Sequence, residues 1–243
     1  MLIEVLDVAK DSSFVIRLSD AIAPEFKKVL PFKSRAMVWK EEVYFETPLS
    51  IDGGELVYRV ERGKVYFWKP GRALCVFYGV SQIYTPGIEV GFLVDPPNRV
   101  AVIEEGDELE VREHGLASEL KDVAVRLEEM GFEVATPLDQ GSRVVVARKV
   151  FGGVPISVTI YVEDYGVHVE SEALAKYGGG LESVKEFNKL KKLVESVSRY
   201  SRLDVSEDGY VVITACSEKR EDVATLVEDV SRGLWIAKKH LVY

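Results

Sequence analysis

The sequence predicts a chain of two parts. The first half is mostly β and builds a barrel or sandwich. The second half is α+β, with helices packed on an antiparallel sheet. Three observations predict this. The first 113 residues are a series of short apolar or alternating runs, separated by Gly, Pro and Asp clusters. Around "VREHGLAS", Val111 to Ser118, the pattern changes from a strand period to a helical one. The length of 243 residues suits one large domain or two ordinary ones. The expected domains are residues 1–113 and 114–243.

In the first half, strands are expected at Leu2–Val8 and Ser13–Leu18. "SDAIAPEFKKVLP" then predicts one short helix, capped by Ser19 or Asp20 and stopped by Pro31. Further strands are expected at Ala36–Trp39, Val43–Phe45, Glu55–Val60, Val65–Trp68, Ala73–Tyr78, Glu89–Val94, Arg99–Ile103 and Glu108–Arg112. Turns at "IDGG", "ERGK", "KPGR", "TPG", "DPPN" and "EEGDE" punctuate them. Closure into a barrel would protect the edges of so many short strands.

In the second half, Leu116, Leu120, Val123, Leu127 and Met130 recur at helical spacing, and Gly131 is the expected stop. Strands follow at Phe132–Ala135, Arg143–Lys149, Ile156–Val162 and Val167–Ser171. A helix presents Val184, Phe187, Leu190, Val194 and Val197 on one face. Strands at Leu203–Val205 and Tyr210–Ala215 lead to a last helix with Val223, Leu226, Val230, Leu234 and Leu241 on its buried side. No repeat or low-complexity segment is visible.

The formal net charge is -9, with acidic residues in both halves and no basic stripe, so nucleic acid is not an expected partner. Met1–Ser13 is broken by Asp7 and Asp11, so no signal peptide is read. No run is long and apolar enough for a transmembrane helix, no membrane partner is expected, and the expected location is cytoplasmic. Cys75 and Cys216 each sit in an apolar run and read as buried structural thiols, with no disulfide framework implied. Two Asn and two Gln against 31 Lys plus Arg and 40 Asp plus Glu is a composition typical of thermophiles.

The densest stretch is "VYFWKPGRALCVFYG", Val65 to Gly79. Pro70 and Gly71 predict a type II turn, with Gly71 at positive φ. Such a turn matches strand twist poorly, so a wider corner is also open. Alternation puts Val65 and Phe67 on one face and Tyr66 and Trp68 on the other. Beyond the turn, Leu74, Val76 and Tyr78 oppose Ala73, Cys75 and Phe77. Both faces are apolar. Either one fills the barrel and the other packs on the second domain, or the outer one binds something. The binding reading is a concave aromatic pocket drawing on Tyr66, Trp68 and Tyr78, with Arg72 or Arg35 at its mouth, suited to an extended peptide or a small anionic ligand.

Other motifs are silent. "KYGGGLES" opens a helix after Gly178–Gly180 but lacks a phosphate-loop Lys-Ser/Thr and reads as a flexible loop. His114, His168 and His240 are isolated, so no metal ligation is expected. No cofactor motif and no catalytic serine or cysteine context is present. "EEGDELE", Glu104 to Glu110, reads as a solvated hairpin tip.

"APEFKKVLPFKSRAMVWKEEVYFETP" and "GKVYFWKPGRALCVFYG", in that order, resemble the cyclophilin-like family of small prokaryotic β-barrels. The resemblance covers residues 1–112 and departs from the family at Lys40, Lys64 and Lys69, where members more often carry Gly, Asp and Pro. It implies a closed eight-stranded barrel related to cyclophilin, and it does not imply cyclophilin activity. Prolyl isomerisation would need a donor such as Arg35 beside an apolar seat. The Phe- and Gln-containing surroundings of that Arg in cyclophilins are missing here, and Arg35 also reads as an ordinary salt-bridge partner. Three functions follow as expectations. The first is a non-catalytic module binding a peptide or small ligand in the barrel pocket. The second is a divergent peptidyl-prolyl isomerase. The third is an interaction protein that forms partner complexes or homo-oligomers through the C-terminal domain.

Overall fold

A computed structural model describes residues 1–242, which divide into two compact units. The first contains residues 1–117 together with 135–143; the second contains 118–134 and 144 onward.

The first unit begins with β1 (Leu2–Asp7), β2 (Ser12–Leu18), helix α1 (Ala23–Lys27), β3 (Phe32–Arg35), β4 (Met37–Trp39) and β5 (Glu42–Glu46). It continues through β6 (Leu56–Val57), β7 (Lys64–Trp68), β8 (Ala73–Phe77), β9 (Gly87–Leu93) and β10 (Glu108–Glu113). The strand order is β3-β10-β1-β2-β9-β7-β8-β5-β4, with β6 paired to β9. β3 and β4 lie at opposite ends of this order, yet only Ala36 separates them in the chain. The sheet must therefore curl until its two edges meet, which gives a nearly closed antiparallel barrel. With β3 and β4 taken as one strand broken at Ala36, the nine strands of the path become the eight that the resemblance implies. Inward side chains such as Ile3, Val5, Phe14, Ile16, Phe45, Val65, Phe67, Leu74 and Val76 fill the interior, as a strand period of two requires.

Four local expectations differ from the structure. Arg99–Ile103 is not a strand: Pro97–Val102 forms a 3₁₀ turn, because Pro96 and Pro97 cannot donate to a sheet ladder. Glu55–Val60 shrinks to the two residues of β6, since Leu56 and Tyr58 are exposed and no apolar face holds the segment flat. Neither Ser19 nor Asp20 caps α1 through its side chain; the Ser19 carbonyl accepts from the amides of Ile22 and Ala23 instead. In the β7–β8 loop, Arg72 rather than Gly71 takes the positive φ, 46°. The Arg72 amide donates to the Lys69 carbonyl at 3.1 Å, closing a wider four-residue loop that follows the strand twist. Gly71 is required for another reason: a Cβ there would lie 2.4 Å from the Trp68 ring.

The second unit holds α2 (Lys121–Glu129), β11 (Glu133–Ala135, whose last residue falls in the first unit), β14 (Val145–Phe151), β15 (Val154–Glu163) and β16 (Gly166–Ser171). β17 (Ala175–Lys176), α3 (Leu181–Val197), β18 (Arg202–Val205), β19 (Tyr210–Ser217) and α4 (Val223–Val242) complete it. Its sheet runs β11-β14-β15-β16-β19-β17, with β18 paired to β19. The β14–β15, β15–β16 and β16–β19 pairs are antiparallel. α4 packs against β15, β16, β19 and α3. Gly131 ends α2 as expected, at φ +81°, with its amide on the Glu128 carbonyl.

A short hairpin of β12 (Leu138–Asp139) and β13 (Ser142–Arg143) had no counterpart in the sequence reading, and it belongs to the first unit. The Leu138 and Gln140 amides donate to the hydroxyls of Ser13 and Ser12, at 2.8 and 3.0 Å. Arg143 reaches Glu4 at 2.7 Å, and Arg99 bridges Asp95 at 3.1 Å and Asp139 at 3.0 Å.

Candidate functional site

The outer face of the barrel wall at β5, β8 and β7 carries a second, smaller apolar cluster of Val60, Tyr66, Cys75 and Phe77. Tyr44, Val57, Trp68 and Ile83 pack against it. Register places Tyr44 opposite Cys75, and Cys75 opposite Tyr66. Within the first unit, residues 57–62 and 81–85 cover this face. The Tyr66 hydroxyl accepts from the Glu61 amide at 3.0 Å, and burial pushes its pKa up to about 12. The Trp68 indole N–H donates to Thr85 Oγ1 at 2.8 Å, which answers its need for a partner.

This cover is incomplete. It leaves a cleft of about 380 Å³, walled by Trp39, Tyr44, Tyr66 and Trp68, with Glu42 and Cys75 among its lining. Tyr44 and Trp68 meet edge to face, with centroids 6.3 Å apart. Tyr84, also on the cleft, is 91 % exposed. Glu42 is 6 % exposed. It forms no salt bridge among the described residues, and its only side-chain partner is the Cys75 thiol. Burial raises the Glu42 pKa, against the lowering effect of that thiol. Burial first, then the charge and hydrogen bond of Glu42, drive the Cys75 thiol far above the usual range. Cys75 is thus a protonated donor rather than a nucleophile.

A second concavity of about 680 Å³ holds Arg35 and Arg72, with Lys33, Phe32, Glu46 and Glu108 also on it. Arg35 is exposed and bonds Glu108 at 3.0 Å. The Arg72 carbonyl accepts from the Thr47 amide and hydroxyl, at 2.8 and 3.0 Å.

The structure therefore brings Tyr66 and Trp68 together in one cleft and Arg35 and Arg72 together in another groove. Tyr78 lines neither. It packs against the barrel core, and its hydroxyl donates to the Lys40 carbonyl at 3.1 Å. Sequence reading missed Trp39, Glu42 and Tyr44. The signal was present in "VWKEEVYF": Trp39 and Glu42 face each other across the Lys40-Glu41 turn, and Glu42 and Tyr44 share the face opposite Val43 and Phe45.

Among the described residues, no group of three His, Cys, Asp or Glu side chains is placed to hold a metal ion. Among the same residues, no helix is long and apolar enough to cross a membrane.

Residues 3–112 match the family model described as Cyclophilin-like, the family that the N-terminal stretches resemble. The first unit is a cyclophilin-like barrel. Two solved structures are similar to parts of the chain. One is the solution structure of a hypothetical protein from Archaeoglobus fulgidus, at 22% identity and TM-score 0.38, covering 46% of this chain and 94% of that one. The other is McbB in complex with tryptophan, at 17% identity and TM-score 0.40, covering 53% of each chain. No curated protein matches the chain.

Proposed function

We propose that the cyclophilin-like barrel of this chain is a non-catalytic binding module that takes a small ligand or peptide side chain in the aromatic cleft on its outer face. One observation carries the reading. The cleft has aromatic walls and a glutamate, 6 % exposed as a residue, without a salt-bridge partner. Apolar walls with a few convergent polar groups are the usual make-up of small-molecule sites. A buried carboxylate that no cation neutralises costs stability, which a fold tolerates where the group serves a ligand. Tyr66 and Trp68 remain proposed contacts. Arg35, Arg72 and Tyr78 are not part of this cleft. A thermal-shift screen of metabolites and short peptides on the full chain tests the proposal. Hits should raise the melting temperature of the wild type and lose their effect in Tyr44→Leu. A broad screen without any hit dependent on the cleft would refute it.

The groove holding Arg35 and Arg72 favours a second reading, a divergent prolyl isomerase, because it pairs guanidinium groups with Phe32. Glu108 already engages Arg35, so we expect cis/trans exchange of Xaa-Pro peptides to stay at its uncatalysed time of about 10–100 s at 25 °C. Acceleration that vanishes in Arg35→Ala would reverse the ranking.

A further inference from the structure

We infer that the ligand class of the aromatic cleft is a small organic cation, an alkyl- or quaternary-ammonium group seated among Trp39, Tyr44 and Trp68 with Glu42 as its counter-ion; this rests on the proposed binding role of the same cleft.

The argument is charge complementarity in a confined space. Aromatic faces carry negative quadrupole potential, and a cation over them gains most where water is excluded. Trp39, Tyr44 and Trp68 line the cleft from three strands, and the edge-to-face contact of Tyr44 with Trp68 gives it perpendicular walls. An uncharged apolar ligand would use the same walls, so the walls alone do not decide. Glu42 does. The residue is 6 % exposed, lines the cleft, and its carboxylate is met by a thiol rather than by Lys or Arg. An anionic ligand would be repelled by it, and a neutral one would leave it uncompensated. The charges of Glu105 and Glu42 act on the Tyr44 hydroxyl and, after burial, help raise its pKa. Lys40 Nζ stands 4.1 Å from the centre of the Trp39 ring, a distance at which that ring and an ammonium group attract. No Arg or Lys side chain lines the cleft, so the anionic ligand expected from the arginines belongs, if anywhere, in the other groove.

The test uses the full chain at pH 8, titrated by calorimetry with choline chloride and with 3,3-dimethyl-1-butanol, which keeps its shape and replaces nitrogen by carbon. Choline should bind saturably and at least roughly tenfold more tightly than the neutral isostere. Glu42→Gln should weaken choline by roughly tenfold and leave the isostere within about twofold. Tyr44→Leu should weaken choline as well, and far-ultraviolet circular dichroism confirms that both variants fold. A short peptide carrying trimethyllysine distinguishes a side-chain source of the ammonium group from a free one, and binding of either supports the inference. Equal or tighter binding of the isostere overturns the cation and leaves a binding cleft of apolar preference. Failure of both choline and the peptide on the wild type also overturns it, whereas the binding role itself falls only with the wider screen.

Discussion

Two patches of the barrel's outer face each bury a glutamate, and they treat it in opposite ways. Glu4 lies on β1, opposite the inward Ile3 and Val5, and is 2 % exposed. The β12–β13 hairpin covers it. Arg143 meets it at 2.7 Å, Arg112 at 3.0 Å and Ser13 Oγ at 2.7 Å, and His114 Nδ1 stands 3.8 Å away. Burial alone would push its pKa up, but His114, Ser13 and Arg143 together hold it down at about 2. Glu42 lies on β5, opposite the inward Val43 and Phe45, under a cover that brings it no cation. Its pKa moves up instead. The difference teaches that burial does not determine what a carboxylate is for. Where the cover supplies donors, the group is an anchor; where it supplies aromatic walls and a gap, the group is left for something else to satisfy.

Among the two glutamates, the larger effect should come from breaking the anchor. A folded pKa of about 2 against the ordinary 4.5 corresponds to about 3 kcal/mol of stability near neutral pH, and Glu4→Gln should lose about that much in a denaturant titration. A loss below about 1 kcal/mol would erase the contrast. A fragment of residues 1–113, the domain boundary that we propose, keeps Arg112 but lacks Arg143 and the covering hairpin, and should melt below the full chain. Trp68→Ala should cost less than the anchor, roughly 1–2 kcal/mol, because the ring is only half-buried although its N–H is bonded to Thr85. Phe67→Ala, on the sealed inner face of the same strand, should instead cost roughly 3–5 kcal/mol and fix the scale.

The pH profiles should run in opposite directions. For Glu4 the folded pKa is the lower one, so its stabilisation is complete above 4.5 and is lost as pH falls toward about 2. For Glu42 the folded pKa is the higher one. Its contribution is complete below 4.5 and is lost as pH rises through the folded value, so wild type should lose ground to Glu42→Gln with rising pH. The smallest effect is then Glu42→Gln near neutral pH: within about 1 kcal/mol of wild type, or slightly more stable. A large loss there would mean that Glu42 is an anchor too, with partners beyond Cys75.

Much of the fold was legible in the residues. Period-two runs between Gly- and Pro-rich turns located most barrel strands, and helical spacing located α2, α3 and α4 with Gly131 as a stop. The candidate site was legible only in part. Tyr66 and Trp68 were visible as the outer side of a doubly apolar hairpin, because alternation is local and needs only the strand. Arg35 and Arg72 were grouped with them on chemistry alone, and strand order sends those two to a separate groove. The order β7-β8-β5 is what sets Glu42 and Tyr44 beside Cys75 and Tyr66, from segments more than twenty residues apart.

The sequence by itself determined the two halves, the barrel-forming periodicity and the family resemblance, since each depends on neighbours within one strand, helix or motif. Only the tertiary structure decided which buried carboxylate would find a cation. That depends on which distant segment lies over it: Arg143 arrives at Glu4 from 139 positions along the chain, whereas the segments that come to Glu42 bring tryptophan and tyrosine. Pairings across such separations are set by strand order and closure, and no local pattern encodes them.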